Sequence, residues 1–118
     1  MSVCIFSESH GNLVGLRAVL EAVRGWEPVD ELICAGDMLG GGGGHEDLLD
    51  LLLERRVVML RGNHEEGDLD IERHLPSIPP EWRDWASRTA AWLHREVSDA
   101  HWRMIAELPL THAVSAAP

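Results

Sequence analysis

Apolar residues in the first half of the chain fall in short clusters, and each cluster breaks into a polar turn that contains glycine. Ser2-Val-Cys-Ile-Phe-Ser7 is short, apolar and partly β-branched, which predicts a buried strand. It breaks at Glu8-Ser-His-Gly-Asn12. Leu13, Leu16, Val19, Leu20 and Val23 then recur at spacings of three and four, predicting an amphipathic helix with Asn12 as N-cap and Gly25 past its end. A second strand is predicted from Glu31 to Ala35, breaking at Gly36-Asp37. Five glycines, Gly40 to Gly44, precede a helix from about Glu46 to Arg55, whose start Glu46 and Asp47 favour through the helix dipole. Val57-Val-Met-Leu60 reads as a third strand, ending at Gly62-Asn-His64. Strands alternating with helices at an interval of about 28 residues predict an α/β fold. Its strands run parallel, with right-handed crossovers and both sheet faces covered.

The second half has a different pattern. Residues 66–80 are acidic and proline-containing without clear periodicity and read as a connecting loop, and Glu65, Glu66, Asp68 and Asp70 read as solvated. From Glu81 to about Arg95, the residues Trp82, Trp85, Ala86, Thr89, Trp92 and Leu93 recur at helical spacing. A further helix is predicted from Asp99 to Leu108, with Trp102, Ile105 and Ala106 inward. The tryptophans read as core or cap packing, since no basic strip accompanies them as it would on a base-stacking platform. The chain thus divides into a βαβαβ half (1–65), a loop (66–80), a helical segment (81–108) and a tail (109–118), within a single domain (1–118).

Composition narrows the function classes. The 118 residues include 20 acidic and 10 basic ones, giving a formal charge of −10, and every basic residue is arginine. Few, scattered cations argue against a generic grip on nucleic acid. No apolar run is long enough to span a bilayer, the first residues lack a signal-peptide pattern, and a cytoplasmic location is expected. Cys4 and Cys34 lie in apolar runs and read as buried free thiols.

Candidate chemistry gathers where the strands stop. Glu8 and His10 follow the first strand, Asp37 the second, and Asn63, His64 and Glu65 the third. In a parallel α/β sheet these ends share one edge, where such folds bind ligands. A mixture of carboxylate, imidazole and amide donors suits Mn, Fe or Zn, and a bridging carboxylate allows two ions side by side. Two cations would also reverse the local field of an acidic chain, so that a phosphate ester could approach. The glycine run is either a flexible linker or a loop bordering the ions; it lacks the Lys-Ser/Thr of a nucleotide P-loop.

Ser7-Glu-Ser-His-Gly-Asn12, Ala35-Gly-Asp-Met38 and Arg61-Gly-Asn-His-Glu65 resemble, in order and placement, the first three signature blocks of the calcineurin-like metallophosphoesterases. The stretch from Trp92 to Leu110 resembles the helical segment of the bacterial small phosphodiesterase and diadenosine-tetraphosphatase-like branch. The resemblance implies the N-terminal half of a four-layer αββα sandwich. It implies two divalent metal ions, with Glu8 and His10 on the first, Asp37 bridging and Asn63 on the second. His64 is then placed at the leaving-group oxygen, and the implied activity is hydrolysis of phosphate mono- or diesters, including nucleotides, by a hydroxide activated between the ions.

Two features depart from the family pattern. Glu8 stands where the family has aspartate, and a longer carboxylate displaces its oxygen by ~1 Å or more, which catalytic geometry tolerates poorly. The later histidines and Gly-His-x-His block of the family have no counterpart here, while His74, His94, His101 and His112 read as solvated or helix-surface residues. A relative that binds metal or phosphate without turnover is therefore an alternative expectation. A structural or regulatory module is another, whose apolar sheet face and open edges a second copy of the chain would cover as a homodimer.

Overall fold

A computed structural model describes residues 1–26 and 28–115. The chain runs β1 (Val3–Phe6), α1 (Leu13–Arg24), β2 (Glu31–Cys34), α2 (His45–Glu54), β3 (Val58–Met59), α3 (Asn63–Leu69) and α4 (Ile71–His74). A 3-10 turn over Leu75–Ser77, α5 (Pro80–Glu96) and α6 (Asp99–Glu107) follow. The strands form one parallel sheet in the order β1-β2-β3, the α/β architecture expected from the pattern. The first helix starts where its capping chemistry dictates: the Asn12 side chain accepts the Gly15 N–H at 2.8 Å. It stops at Gly25, whose N–H donates to the Ala22 carbonyl.

Strand order decides which sheet face is covered. With neighbouring strands taken consecutively, two right-handed crossovers put α1 and α2 on the same side. Phe6, Cys34 and Met59 stand side by side in register and join the core with Leu16, Leu20, Leu48, Leu49 and Leu52 from those helices. The alternate row, Ile5-Ile33-Val58, faces away from that core, and Ile5 is 66% exposed at the edge. The expectation that helices cover both faces is therefore corrected: the described helices leave β1 open on one side. The chain after α6 returns to the sheet, where the Arg61 N–H donates to the Pro109 carbonyl at 2.9 Å and His112 pairs with Glu31 at 2.5 Å. Residues 116–118 of the predicted tail lie outside the described residues.

The predicted loop over 66–80 is also corrected, because most of it is helical. Its start is hidden in the sequence by α3, which begins directly at the third strand's polar break. Asp70 then caps α4 through the Arg73 N–H, and Pro80 opens α5 at a position where a missing N–H costs nothing. Capping residues and prolines that resemble loop composition are here helix starts.

The α5 and α6 pair seals the far end of the core. Leu93, Val97, Trp102 and Ile105 pack into the same cluster as α2. His101 is clamped between Glu46 and Asp50 of α2, with each nitrogen 2.9 Å from a carboxylate oxygen. His94 stacks on Trp102 with ring centroids 4.2 Å apart. His101 is therefore a buried packing residue and not a helix-surface one. Two inward assignments are reversed as well. Trp82 and Trp85 are 57% and 58% exposed, because the buried stripe of α5 is Ala86, Ala90 and Leu93 and the two indoles lie off it. Ala106 is likewise exposed, leaving Trp102 and Ile105 as the inward pair. Among the described residues, no helix is long and apolar enough to cross a membrane.

Cys34 has no exposed surface, and burial pushes its thiol up to about 11. We expect Cys34 to resist a disulfide reagent such as DTNB at pH 8 until denaturant is added. Peptide mapping that finds Cys34 modified in the native protein would contradict this packing.

Candidate functional site

The three strand ends are held together by backbone pairing that continues past the strands. Glu8, His10 and Gly11 donate their N–H groups to the carbonyls of Gly36, Asp37 and Met38, at 3.2, 3.1 and 2.7 Å. To make that run, Glu8, His10 and Asp37 adopt left-handed backbone, with φ of 65°, 42° and 55°. Each costs about 1 kcal/mol or more relative to ordinary conformations, and such strain concentrates at functional positions. The second and third strand ends touch through glycine. A Cβ on Gly36 would lie 2.5 Å from the Gly62 Cα, and one on Gly62 would lie 2.4 Å from the Asp37 nitrogen. Any side chain at either position would push Asp37 away from Asn63 and His64.

His10, Asp37 and His64 present ligand atoms that all lie within 4.8 Å of one another. The other predicted residues adjoin this cluster. Glu8 Oε2 is 2.8 Å from His10 Nε2, and Asn63, with its amide nitrogen turned to Asp37, donates to both carboxylate oxygens at 3.3 and 3.0 Å. Asp37 is buried, and its Oδ1 accepts the His64 N–H at 3.0 Å. The rings of His10 and His64 meet edge to face at 4.9 Å. Among the described residues, His74, His94, His101 and His112 take no part in the cluster.

The donor set fits a divalent cation. Leu39 O can only accept, so His10 Nδ1, 2.7 Å away, carries the proton and donates to it; His10 Nε2 is thereby turned toward the cluster. Burial lowers the pKa of His10, but the Leu39 hydrogen bond and then the Glu8 and Asp37 charges outweigh it, leaving a net rise. An ion bound here would replace the imidazolium proton. Imidazole nitrogen with carboxylate oxygen is a set that Mn, Fe and Zn accept.

Two features that the sequence misassigned or left open take part in the site. Glu65, expected to be solvated, has no exposed surface. Its carboxylate accepts the N–H groups of Asp37 at 2.6 Å, Met38 at 3.1 Å, Leu39 at 3.3 Å and Gly62 at 3.1 Å. Burial pushes its carboxyl up, and these four donors only partly offset that. The available signal was spacing: an acid three residues after an N-cap reaches back to the cap N–H, as Glu65 does to Gly62. The second feature is the glycine run, which is tied to the site as a bordering loop. Gly42 and Gly44 donate to the carbonyls of His10 and Gly11 at 2.7 and 3.1 Å.

Comparison with known proteins agrees with this geometry. A family model described as calcineurin-like phosphoesterase matches residues 1–113. An uncharacterised protein of Methanocaldococcus jannaschii, MJ0912, is 29% identical over 70 residues, which are 59% of this chain and 28% of that protein. The crystal structure of a metallophosphoesterase from Sphaerobacter thermophilus superposes with a TM-score of 0.67 at 25% identity, over 92% of this chain and 42% of that one. A candidate diadenosine tetraphosphatase gives a TM-score of 0.67 at 21% identity, over 91% and 42%, and supports the fold. The chain thus spans less than half the length of each of these relatives.

Removing the Glu65 carboxylate would strand four backbone N–H groups. Glu65→Ala should lower unfolding free energy by about 3–5 kcal/mol, and Glu65→Gln by less, since one acceptor oxygen survives. Urea denaturation reads both. A Glu65→Ala midpoint equal to that of the parent would refute the role assigned to this carboxylate.

Proposed function

The chain belongs to the calcineurin-like phosphoesterase family, and from that premise we propose that its strand-end cluster serves metal-dependent hydrolysis of phosphate mono- or diesters. The observation that carries the proposal is the convergence of His10, Asp37 and His64 within 4.8 Å at the ends of three parallel strands. Divalent ions, when bound, supply the positive charge that draws in a phosphate and acidify an attacking water. In this reading Glu8 and His10 would hold one ion and Asn63 the other, Asp37 would serve both, and Asn63 would also contact the phosphate. Manganese is the ion we favour for trial, with iron and zinc as competitors.

The chain's own residues supply the rest. Left-handed backbone at Glu8, His10 and Asp37 shapes the strand ends, and the Glu65 carboxylate holds the Asp37 loop against Gly62. Exposed His64 stands beside buried Asp37, where it can protonate a departing alkoxide as general acid. The substrate class is a phosphate ester or nucleotide. The diadenosine tetraphosphatase assignment belongs to the structural neighbour; it supports the nucleotide member of that class without selecting it. Two free thiols suit a reducing cytoplasm. The open sheet face at Ile5 is where a further sheet, or a second copy of the chain, would pack.

One observation favours a second reading, in which metal binds without turnover. Glu8 already occupies His10 Nε2 at 2.8 Å, so an ion must displace or share that contact.

The two readings separate experimentally. We expect dialysed protein to retain one to two manganese ions per chain, as counted by metal analysis. Asp37→Asn and His64→Ala should each reduce hydrolysis of bis-p-nitrophenyl phosphate by about 100-fold or more. Ion uptake with no hydrolysis supports the second reading. Loss of all metal on dialysis, or equal rates in parent and both variants, would overturn the first.

A further inference from the structure

A cavity of about 310 Å³ opens beside the cluster, between α3, α4 and the first turns of α5. Asn63 and His64 form the end nearest the candidate ions, Ile71 and Ile78 form apolar walls, and Trp85 closes the outer side. The volume lies at the lower end of small-molecule sites and admits a bicyclic ring. Asp68 also lines it. This residue is only 8% exposed, and among the described residues its carboxylate accepts no hydrogen bond. Its backbone carbonyl is occupied by His94, but its side chain is not. Its carboxylate oxygens are not sealed off from the cavity, so a donor that enters can reach them. The Trp85 indole is 58% exposed and meets Trp82 edge to face at 6.3 Å, and the rest of its surface is open to a stacking partner.

We propose that this cavity receives the non-phosphate portion of the ester, and that it selects a planar, largely apolar ring bearing an N–H or amino donor, as a nucleobase does. The assignment rests on the phosphoesterase reading of the adjoining cluster. In it, the ring lies against Trp85 between Ile71 and Ile78, its donor meets the Asp68 carboxylate, and its phosphate reaches past His64 to the strand ends. Burial pushes the Asp68 carboxyl up to about 6, against the pull of nearby His64 and His94. At neutral pH it is therefore still largely an anionic acceptor.

Calorimetric titration of the manganese-loaded chain tests this without relying on turnover. The probes are adenosine 5′-monophosphate, ribose 5-phosphate and adenosine. We expect the nucleotide to bind at least about tenfold tighter than ribose 5-phosphate. That ratio should fall close to one in Trp85→Ala, which alters an exposed residue, and in Asp68→Leu, which replaces a buried carboxylate by an apolar side chain. Because the ratio compares two ligands on one preparation, partial unfolding or metal loss does not imitate the result. Equal affinities in the parent chain, or variants that weaken both ligands alike, would overturn the proposal while leaving the phosphoesterase reading intact. If ribose 5-phosphate fails to bind at all, the phosphoesterase reading falls and adenosine decides the cavity. Adenosine binding that disappears in both variants upholds it, and adenosine that does not bind overturns it.

Discussion

The buried carboxylate of Glu65 joins two loops that share no covalent neighbour. By accepting N–H groups from Asp37, Met38 and Leu39 together with that of Gly62, it locks the segment after β2 onto the segment after β3. A charge with no exposed surface persists only where its lone pairs are met, and here four backbone donors meet them. The geometry of Asp37 and His64 follows from this junction. Its other requirement is the absence of side chains at Gly36 and Gly62, since the two backbones approach too closely to admit a Cβ.

The remaining strand end reaches the same place by a different device. Glu8 and His10 take up left-handed backbone so that the chain continues to pair with Gly36 through Met38 beyond the sheet. Pairing with the glycine run holds the turn from its other side, and the Leu39 carbonyl fixes the orientation of the His10 ring. Strain at Glu8, His10 and Asp37 is thus opposed by a hydrogen-bond network. Several carboxylates with nearby imidazoles remain concentrated in one corner of an acidic chain, an arrangement that cations relieve.

Much of the fold and part of the site could be read from residue order. Short apolar runs located all three strands, and helical spacing of apolar residues located the helices at α1, α2, α5 and α6. The convergence of residues 8, 10, 37, 63 and 64 followed from parallel pairing, which places every strand's C-terminal end on one edge. What escaped was decided by tertiary context. Glu65 and Asp68 are ordinary acidic letters in an acidic stretch, and only the close approach of a second loop or a helix makes them buried. The short helices α3 and α4 carry too few turns for a periodic stripe. Trp82 and Trp85 matched a helical face, but the first turns of α5 rest on the neighbouring segments through Arg83 and Ala86, which leaves the two indoles outward.

The proposed chemistry requires divalent ions held at the tips of three neighbouring strands. Crystals grown with manganese and measured at its absorption edge test that claim most directly. It requires anomalous density within about 2–2.5 Å of His10 Nε2, an Asp37 carboxylate oxygen and a further donor from Asn63 or His64. Fully occupied manganese elsewhere on the surface, with none between these side chains, would contradict it.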